Sequence, residues 1–354
     1  MTMTDFQKLT CFNNLYCSFL VSSKGRGSRR GAMRFNANAL ENLYVMKERL
    51  LDHSYKIGAY YEFEVSEPKK RTIKAGTFQD KVLQHCLCDY VLLPRMRTVF
   101  LKDNYAGQTG KGTLFGLNRL SENMSSFYRQ FGLNGYILKC DIRKFFYSIE
   151  HEKMKQCIRH YIPDEDVCWV CDLFIDSAGS DCGLPLGNQC SQVFALMFLD
   201  DMDHFIVEQL GCRFYGRYMD DFYLISQDKA YLQSCLAQIA RWLEALHLQL
   251  NEKTEIVPLS KGIRFLGFHS YLTADGKVIR KLTGSNKRQA RKRIRKMVRL
   301  VSEGRLSQEK FRERYNSWRN HISHGNCYKL TQSMDQFVEQ LFDAYHIRKG
   351  EQTE

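Results

Sequence analysis

The chain has 354 residues, 44% of them hydrophobic, enough to bury a core and to build two or three subdomains. Its 52 Lys and Arg outweigh 39 Asp and Glu, and the formal charge of +13 points to a polyanionic partner such as nucleic acid, with a merely solvated basic surface as the bland alternative. Thirteen cysteines in no secreted framework argue for reduced thiols and a cytoplasmic setting, while no apolar run has membrane-span length and the N-terminus lacks a signal-peptide layout.

Residues 1 to about 60 read as helical, since "FNANALENLYVMKERLLDHSY" repeats apolar positions at helical spacing. The preceding "SSKGRGSRRGAMR" is a basic loop beside phosphates or a plain linker. "YYEFEVSEPKKRTIKAG" alternates like a strand around a Pro68-Lys69-Lys70 turn, and "TFQDKVLQHCLCDYVLLPRM" returns to helix. From about 100 to 270, helices mix with short apolar strands, an α+β pattern. Cys168 and Cys171 form the one CxxC, with no second pair at zinc spacing, and suit an apolar helix face. "IRKLTGSNKRQARKRIRKMVRL", Ile279 to Leu300, carries ten Lys or Arg and no acid. Ile294, Met297, Val298 and Val301 give it one packing face, so it reads as a folded basic helix tracking a phosphate backbone rather than a loose tail. His321 and His324 have i, i+3 spacing but no acid or Cys partner, which favours packing or phosphate contact over metal.

"GRYMDDFYLIS", Gly216 to Ser226, reads as strand, tight turn, strand with Asp220 and Asp221 at the tip. Adjacent carboxylates repel unless cations neutralise them, and a hard, oxygen-liganded ion such as Mg²⁺ is the usual remedy. A third donor is expected from "GYILKCDIRKFFYSI", where an apolar strand delivers Asp141 at its end. Three carboxylates from two strands suit a pair of Mg²⁺ ions roughly 4 Å apart, one activating a 3′-hydroxyl and one holding the triphosphate. An ordinary Asp-containing turn would look the same in "MDD" alone. "FLDDMDHFI" offers another pair, Asp200 and Asp201. Phe194, Phe198, Met202 and Phe205 recur there at helical spacing, so those acids are expected on a helix's solvent side.

In order, "EPKKRTI", "DNYAGQTGKGTLFGLNRL", "LKCDIRKFFYSI", "GLPLGNQCSQVFALMFLDDMD", "YMDD", "LHLQLNEKTEI" and "IRFLGFHS" resemble the fingers and palm motifs of a reverse transcriptase, from about Lys69 to Ser270. The resemblance implies an α+β right-hand polymerase: an N-terminal helical extension (1–60), fingers (61–135), a palm of antiparallel sheet with helices (136–275), and a basic helical thumb (276–354). It implies catalysis by Asp141, Asp220 and Asp221, with Ile142 in the same metal site and two Mg²⁺ as cofactor. Phe146 matches the aromatic steric gate that favours dNTPs, and Leu186 and Gly187 line the nucleotide pocket. Lys69 and Arg71 are expected to clamp the triphosphate, Arg71 preferred for its bidentate fork. Lys253 sits where the family places a lysine near the leaving pyrophosphate, a candidate proton donor. Lys111 in a glycine-rich loop, and Lys287, Arg288, Arg291, Lys292 and Arg295 in the basic run, are the expected nucleic-acid contacts. For most of these, a solvated surface residue would look the same.

One departure is informative. Many reverse transcriptases have glutamine where this chain has Leu186, and proline where it has Gln192. The pattern resembles bacterial enzymes of the group II intron-like lineage, most closely those of diversity-generating retroelements, in which the changed pocket accompanies error-prone copying of template adenines. The expected partners are an RNA template, the RNA–DNA hybrid, dNTPs, a structured non-coding RNA and a small accessory protein, with no membrane. A phage-defence reverse transcriptase shares the same core and is the alternative within enzymes. An RNA-binding scaffold with a relic palm is the alternative outside them.

Overall fold

The computed structural model describes residues 3–25, 29–65 and 71–350, with side chains as far as residue 345. The Pro68-Lys69-Lys70 turn, and with it Lys69, lies outside the described residues. Helices α1 (Asp5–Thr10), α2 (Phe12–Ser23), α3 (Arg30–Ala37) and α4 (Ala39–Leu51) come first. A capping box of Thr4 and Gln7 starts α1. The Arg30–Arg34 part of the basic stretch is therefore helix. Strands β1 (Tyr61–Val65) and β2 (Arg71–Ala75) pair antiparallel, Tyr61 opposite Ala75 and Val65 opposite Arg71. Thr77 caps α5 (Phe78–Leu87), which runs through a π-helical turn at Cys88–Leu92 into α6 (Leu93–Met96).

There follow α7 (Thr113–Phe131), β3 (Tyr136–Asp141), α8 (Phe145–Ser148), α9 (His151–Tyr161), α10 (Glu165–Asp176), α11 (Gln189–Phe198) and α12 (Asp200–His204). Next come β4 (Phe214–Tyr218), β5 (Asp221–Ser226), α13 (Lys229–Ala245), β6 (Glu255–Pro258), β7 (Ile263–Phe265), β8 (Phe268–Leu272) and β9 (Val278–Leu282). Helices α14 (Gly284–Ser302), α15 (Gln308–Ile322) and α16 (Tyr328–Gly350) end the chain's described part. Besides the β1–β2 pair, the strands form a four-stranded sheet of order β4-β5-β3-β6 and a three-stranded sheet β7-β8-β9.

The chain divides into two compact units. One comprises Met1–Gly112, Cys140–Phe222 and Gln233–Thr254; the other comprises Thr113–Lys139, Tyr223–Leu232 and Glu255–Glu354. In the first, α1, α2, α4 and α5 bury Leu9, Leu15, Met46 and Leu83, and α9 to α11 bury Ile158, Val170, Phe174 and Phe194. Each such side chain contributes roughly 1.5–3 kcal/mol by leaving water. Cys168 and Cys171 are buried on α10, on the apolar face their spacing suggested.

In the second unit, Leu117 of α7 packs with Phe268, Leu282, Ile322 and Cys327, while Ala290, Ile294 and Val298 of α14 pack with Phe311, Tyr315, Met334 and Val338. The basic run is only partly the helix expected of it. Val278–Leu282 is strand β9, and Arg280 is buried there, donating to the carbonyls of His324 (2.6 Å) and Leu117 (2.7 Å) and to Ser121 Oγ (2.7 Å). Alternation was hidden because the inward residue is itself a cation. On α14, Arg288, Arg291, Lys292 and Arg295 are exposed and Lys287 is half-buried. Arg291 and Arg295 lie over the Phe337 ring, which anchors two of these like charges. His321 packs on Phe268, and burial pulls its pKa down. Among the described residues, no helix is long and apolar enough to cross a membrane.

Candidate active site

The first unit assembles the carboxylates. Cys140 and Ile142 are buried on either side of half-exposed Asp141, the alternation of a strand end. The Ile142 N–H donates to the Asp220 carbonyl at 3.2 Å, so Asp141 and the Asp220 turn are backbone neighbours. From the other side the segment 249–251 grips the same residues: Arg143 N–H donates to Gln249 O (2.8 Å) and Asn251 N–H to Asp141 O (2.7 Å). The Asn251 side chain then donates Nδ2 to Asp141 Oδ2 at 2.9 Å, while its Oδ1 accepts from Lys253 N–H at 3.2 Å. That pair of bonds fixes which way the amide points. Sequence reasoning missed Asn251. Its one signal was an Asn two residues before Lys253, the pattern of an Asx turn.

The Asp220–Asp221 turn rests on a buried ionic strut that sequence reasoning also missed. Met219 stands at φ +57°, a conformation that costs of order 1–3 kcal/mol for a residue other than glycine. Arg217, fully buried on β4, donates to the Met219 carbonyl at 3.0 Å. The rest of its fork meets Asp203, Nε to Oδ1 at 2.6 Å and Nη2 to Oδ2 at 2.5 Å, and Tyr215 Oη donates to the same carboxylate. Its main chain is tied as well, N–H to Asp103 O and O to Tyr105 N–H, both at 2.8 Å. A Cβ on Gly216 would collide with the Tyr105 ring, so that glycine allows the close approach.

This corrects the expectation for "FLDDMDHFI". Asp200 and Asp203 are fully buried, and only Asp201 keeps to the solvent side. The apolar period marked one face of the helix but could not reveal that Arg217 and Tyr161 cover another. Tyr161 Oη lies 3.2 Å from Asp200 Oδ2 and 2.9 Å from Asp201 Oδ1. Among the described residues Asp200 Oδ1 has no hydrogen-bond partner, and burial, then the neighbouring Asp203, pushes the Asp200 carboxyl up to about 6.

The remaining candidates scatter around this centre. Phe145 is core, whereas Phe146 is half-exposed and its carbonyl accepts from Leu184 N–H at 2.7 Å. Leu186 O accepts from Lys74 N–H of β2 at 2.8 Å. Gly187, at φ +122°, leaves room for β2: a Cβ there would stand 2.8 Å from Lys74 O. Arg71 opens β2 and is exposed, as is Lys253. Lys111 turns inward, its Nζ donating to Asn104 O (2.9 Å) and Leu101 O (3.2 Å), and burial lowers its pKa. It props its own loop. Lys287, Arg288, Arg291, Lys292 and Arg295 belong to the second unit.

Asp141, Asp220 and Asp221 offer only carboxylate oxygens, the donor chemistry of a hard divalent cation, and Asn251 pre-orients one of them. Among the described residues, no group of three His, Cys, Asp or Glu side chains is placed so as to hold a metal ion. The three carboxylates fit such an ion in donor type, and the backbone bond from Ile142 to Asp220 makes their segments neighbours.

Residues 67–270, more than half of the chain, match the family described as reverse transcriptase (RNA-dependent DNA polymerase). None of the curated proteins matches by sequence. Similar solved structures include telomerase from Candida albicans in complex with a TWJ fragment of telomeric RNA, 13% identical with a TM-score of 0.49, over 82% of this chain and 59% of that one. Apo telomerase from Candida tropicalis is 14% identical with a TM-score of 0.48, over 82% and 60%. A form of the latter truncated from its C-terminal domain is 15% identical with a TM-score of 0.46, over 65% and 58%. The chain thus spans about three fifths of the length of these structures.

Proposed function

The chain belongs to the reverse transcriptase family, and from that premise we propose that it synthesises DNA on an RNA template by nucleotidyl transfer. Its fold is accordingly that of a reverse-transcriptase-like polymerase, helices with antiparallel sheets. The observation that carries the catalytic assignment is the backbone bond from Ile142 to Asp220, with the Asn251 amide on Asp141. Asp141 and Asp220 would hold two Mg²⁺ ions, with Asp221 in support; when bound, these supply charge neutralisation for a primer 3′-hydroxyl and a leaving pyrophosphate.

The chain's own residues do the rest. Arg71 presents a guanidinium fork to triphosphate oxygens. Half-exposed Phe146 bars a ribose 2′-hydroxyl, and Leu186 and Gly187 border the nascent pair. Lys253, whose amide N–H closes the turn with Asn251, offers a proton to pyrophosphate. The test is primer extension on poly(rA)·oligo(dT) with Mg²⁺ by wild type and Asp220→Asn. Extension that survives the substitution rejects the site.

For the biological setting we infer error-prone copying, as in a diversity-generating retroelement. The support is an aliphatic Leu186 where an amide would otherwise check the geometry of the primer–template pair. The partners on this reading are a dedicated structured RNA and a small accessory protein. Single-nucleotide incorporation opposite template adenine tests it. Low discrimination in wild type, raised in Leu186→Gln, is expected; strong discrimination in wild type, unchanged by the substitution, removes the support and favours the defence role.

A further inference from the structure

A cavity of about 460 Å³ lies in the first unit among α3, α4, the segment before β1 and the start of α5. Arg34, Arg49 and Lys56 line it, one from each of the first three of these, and all three are exposed. Among the described residues none of the three closes an ion pair. The lowered pKa of nearby Asp52 comes first from its hydrogen bonds with Ser54 and only weakly from Arg49, so the charge of Arg49 is little spent there.

The one acid among the described lining residues, Asp80, is buried and turned to internal use. It accepts from Tyr55 Oη (2.9 Å), Gly58 N–H (3.1 Å) and Thr77 Oγ1 (2.6 Å). The wall is built rather than incidental: a Cβ on Gly58 would collide with Thr77, so only glycine lets that segment lie against the start of α5. Phe19, Phe35 and Phe78 pack in mutual contact behind it, with ring centroids 5.3 to 6.4 Å apart. Among the described lining residues three cations stand against one carboxylate, itself held by neutral donors, and that excess of positive charge in a concavity favours an anion.

We propose that this cavity binds the phosphodiester backbone of a single-stranded segment of the RNA, separately from the catalytic carboxylates. Exposed Arg29 and Arg30 continue the basic character along α3 and its start, which a strand can use and a mononucleotide cannot. The identity of the strand as RNA rests on the proposed function; the anion site does not.

The experiment is a salt titration of the affinity of the full chain for a fluorescently labelled single-stranded RNA, with wild type against Arg34→Ala/Arg49→Ala/Lys56→Ala. Removing three cations that each neutralise a phosphate of a single strand flattens the slope of log K against log salt by about 2. A charge-preserving variant, Arg34→Lys/Arg49→Lys/Lys56→Arg, keeps the wild-type slope. An unchanged slope in the alanine variant overturns the proposal. So does an equal loss in the charge-preserving variant, since shape alone would then be at work. Displacement of the RNA by free dNTP from wild type, but not from the alanine variant, also overturns it in favour of a mononucleotide pocket. Thermal melts of the three proteins verify that all are folded. Wild-type primer extension reports on the proposed activity independently, so either reading can fail alone.

Discussion

Replacing Arg217 by Met removes the cation that joins Asp203 to the Met219 carbonyl. Asp203 is left fully buried with Tyr215 as its remaining described hydrogen-bond donor, and breaking a buried pair from one side costs about 3–5 kcal/mol. The turn also loses a charge-assisted bond to Met219, worth about 1.5–3 kcal/mol, from a residue already at positive φ. If about 1.4 kcal/mol of that bond is felt where Asp220 must hold its position, kcat falls about tenfold.

The double variant Arg217→Met/Asp203→Leu separates the two effects. Removing both charges recovers much of the stability, because apolar replacement of a buried pair is often neutral or better. It cannot restore the bond to Met219, so kcat stays low. Urea unfolding and single-nucleotide extension at saturating dNTP read the two quantities. Recovery of kcat together with stability in the double variant would refute a positioning role and leave the strut purely structural.

Three further outcomes are expected. Asn251→Ala lowers kcat about tenfold or more by freeing Asp141 Oδ2, while the KM for dNTP changes little; an unaltered kcat leaves the amide with no role beyond closing its own turn. Asp200→Asn flattens the pH dependence of stability. A carboxyl raised to about 6 binds its proton more tightly when folded, so its contribution is complete below the ordinary carboxylate pKa and is lost as pH rises through 6, a change of about 3 kcal/mol readable by urea titration across that range. Phe146→Ala raises the rNTP-to-dNTP ratio of kcat/KM with little loss of stability, whereas Phe145→Ala, in the core, costs about 3–5 kcal/mol; equal destabilisation and an unmoved ratio would return both rings to packing.

What could be read from the sequence was what local pattern controls. An apolar strand ending at Asp141, a strand–turn–strand at Asp220 and Asp221, and the packing face of α14 at Ile294 and Val298 all follow from periods of two or 3.6 residues. What escaped depends on distant segments meeting. Arg217 looked like one more cation in a basic chain until Asp203, fourteen residues earlier, came to lie against it. Asn251 looked like a turn residue until Asp141 arrived from 110 residues away. Charge misled in the same way at Arg280 and Lys111, because a cation's destination is set by which carbonyls the fold leaves unpaired, and composition does not record that.

The tether between residue 186 and β2 runs from amide to carbonyl and asks nothing of the side chain at that position. Glycine at 187 reserves the space that β2 occupies, since a Cβ there would meet Lys74 O at 2.8 Å. A substitution at residue 186 therefore leaves the main-chain link that seats this loop on β2 in place.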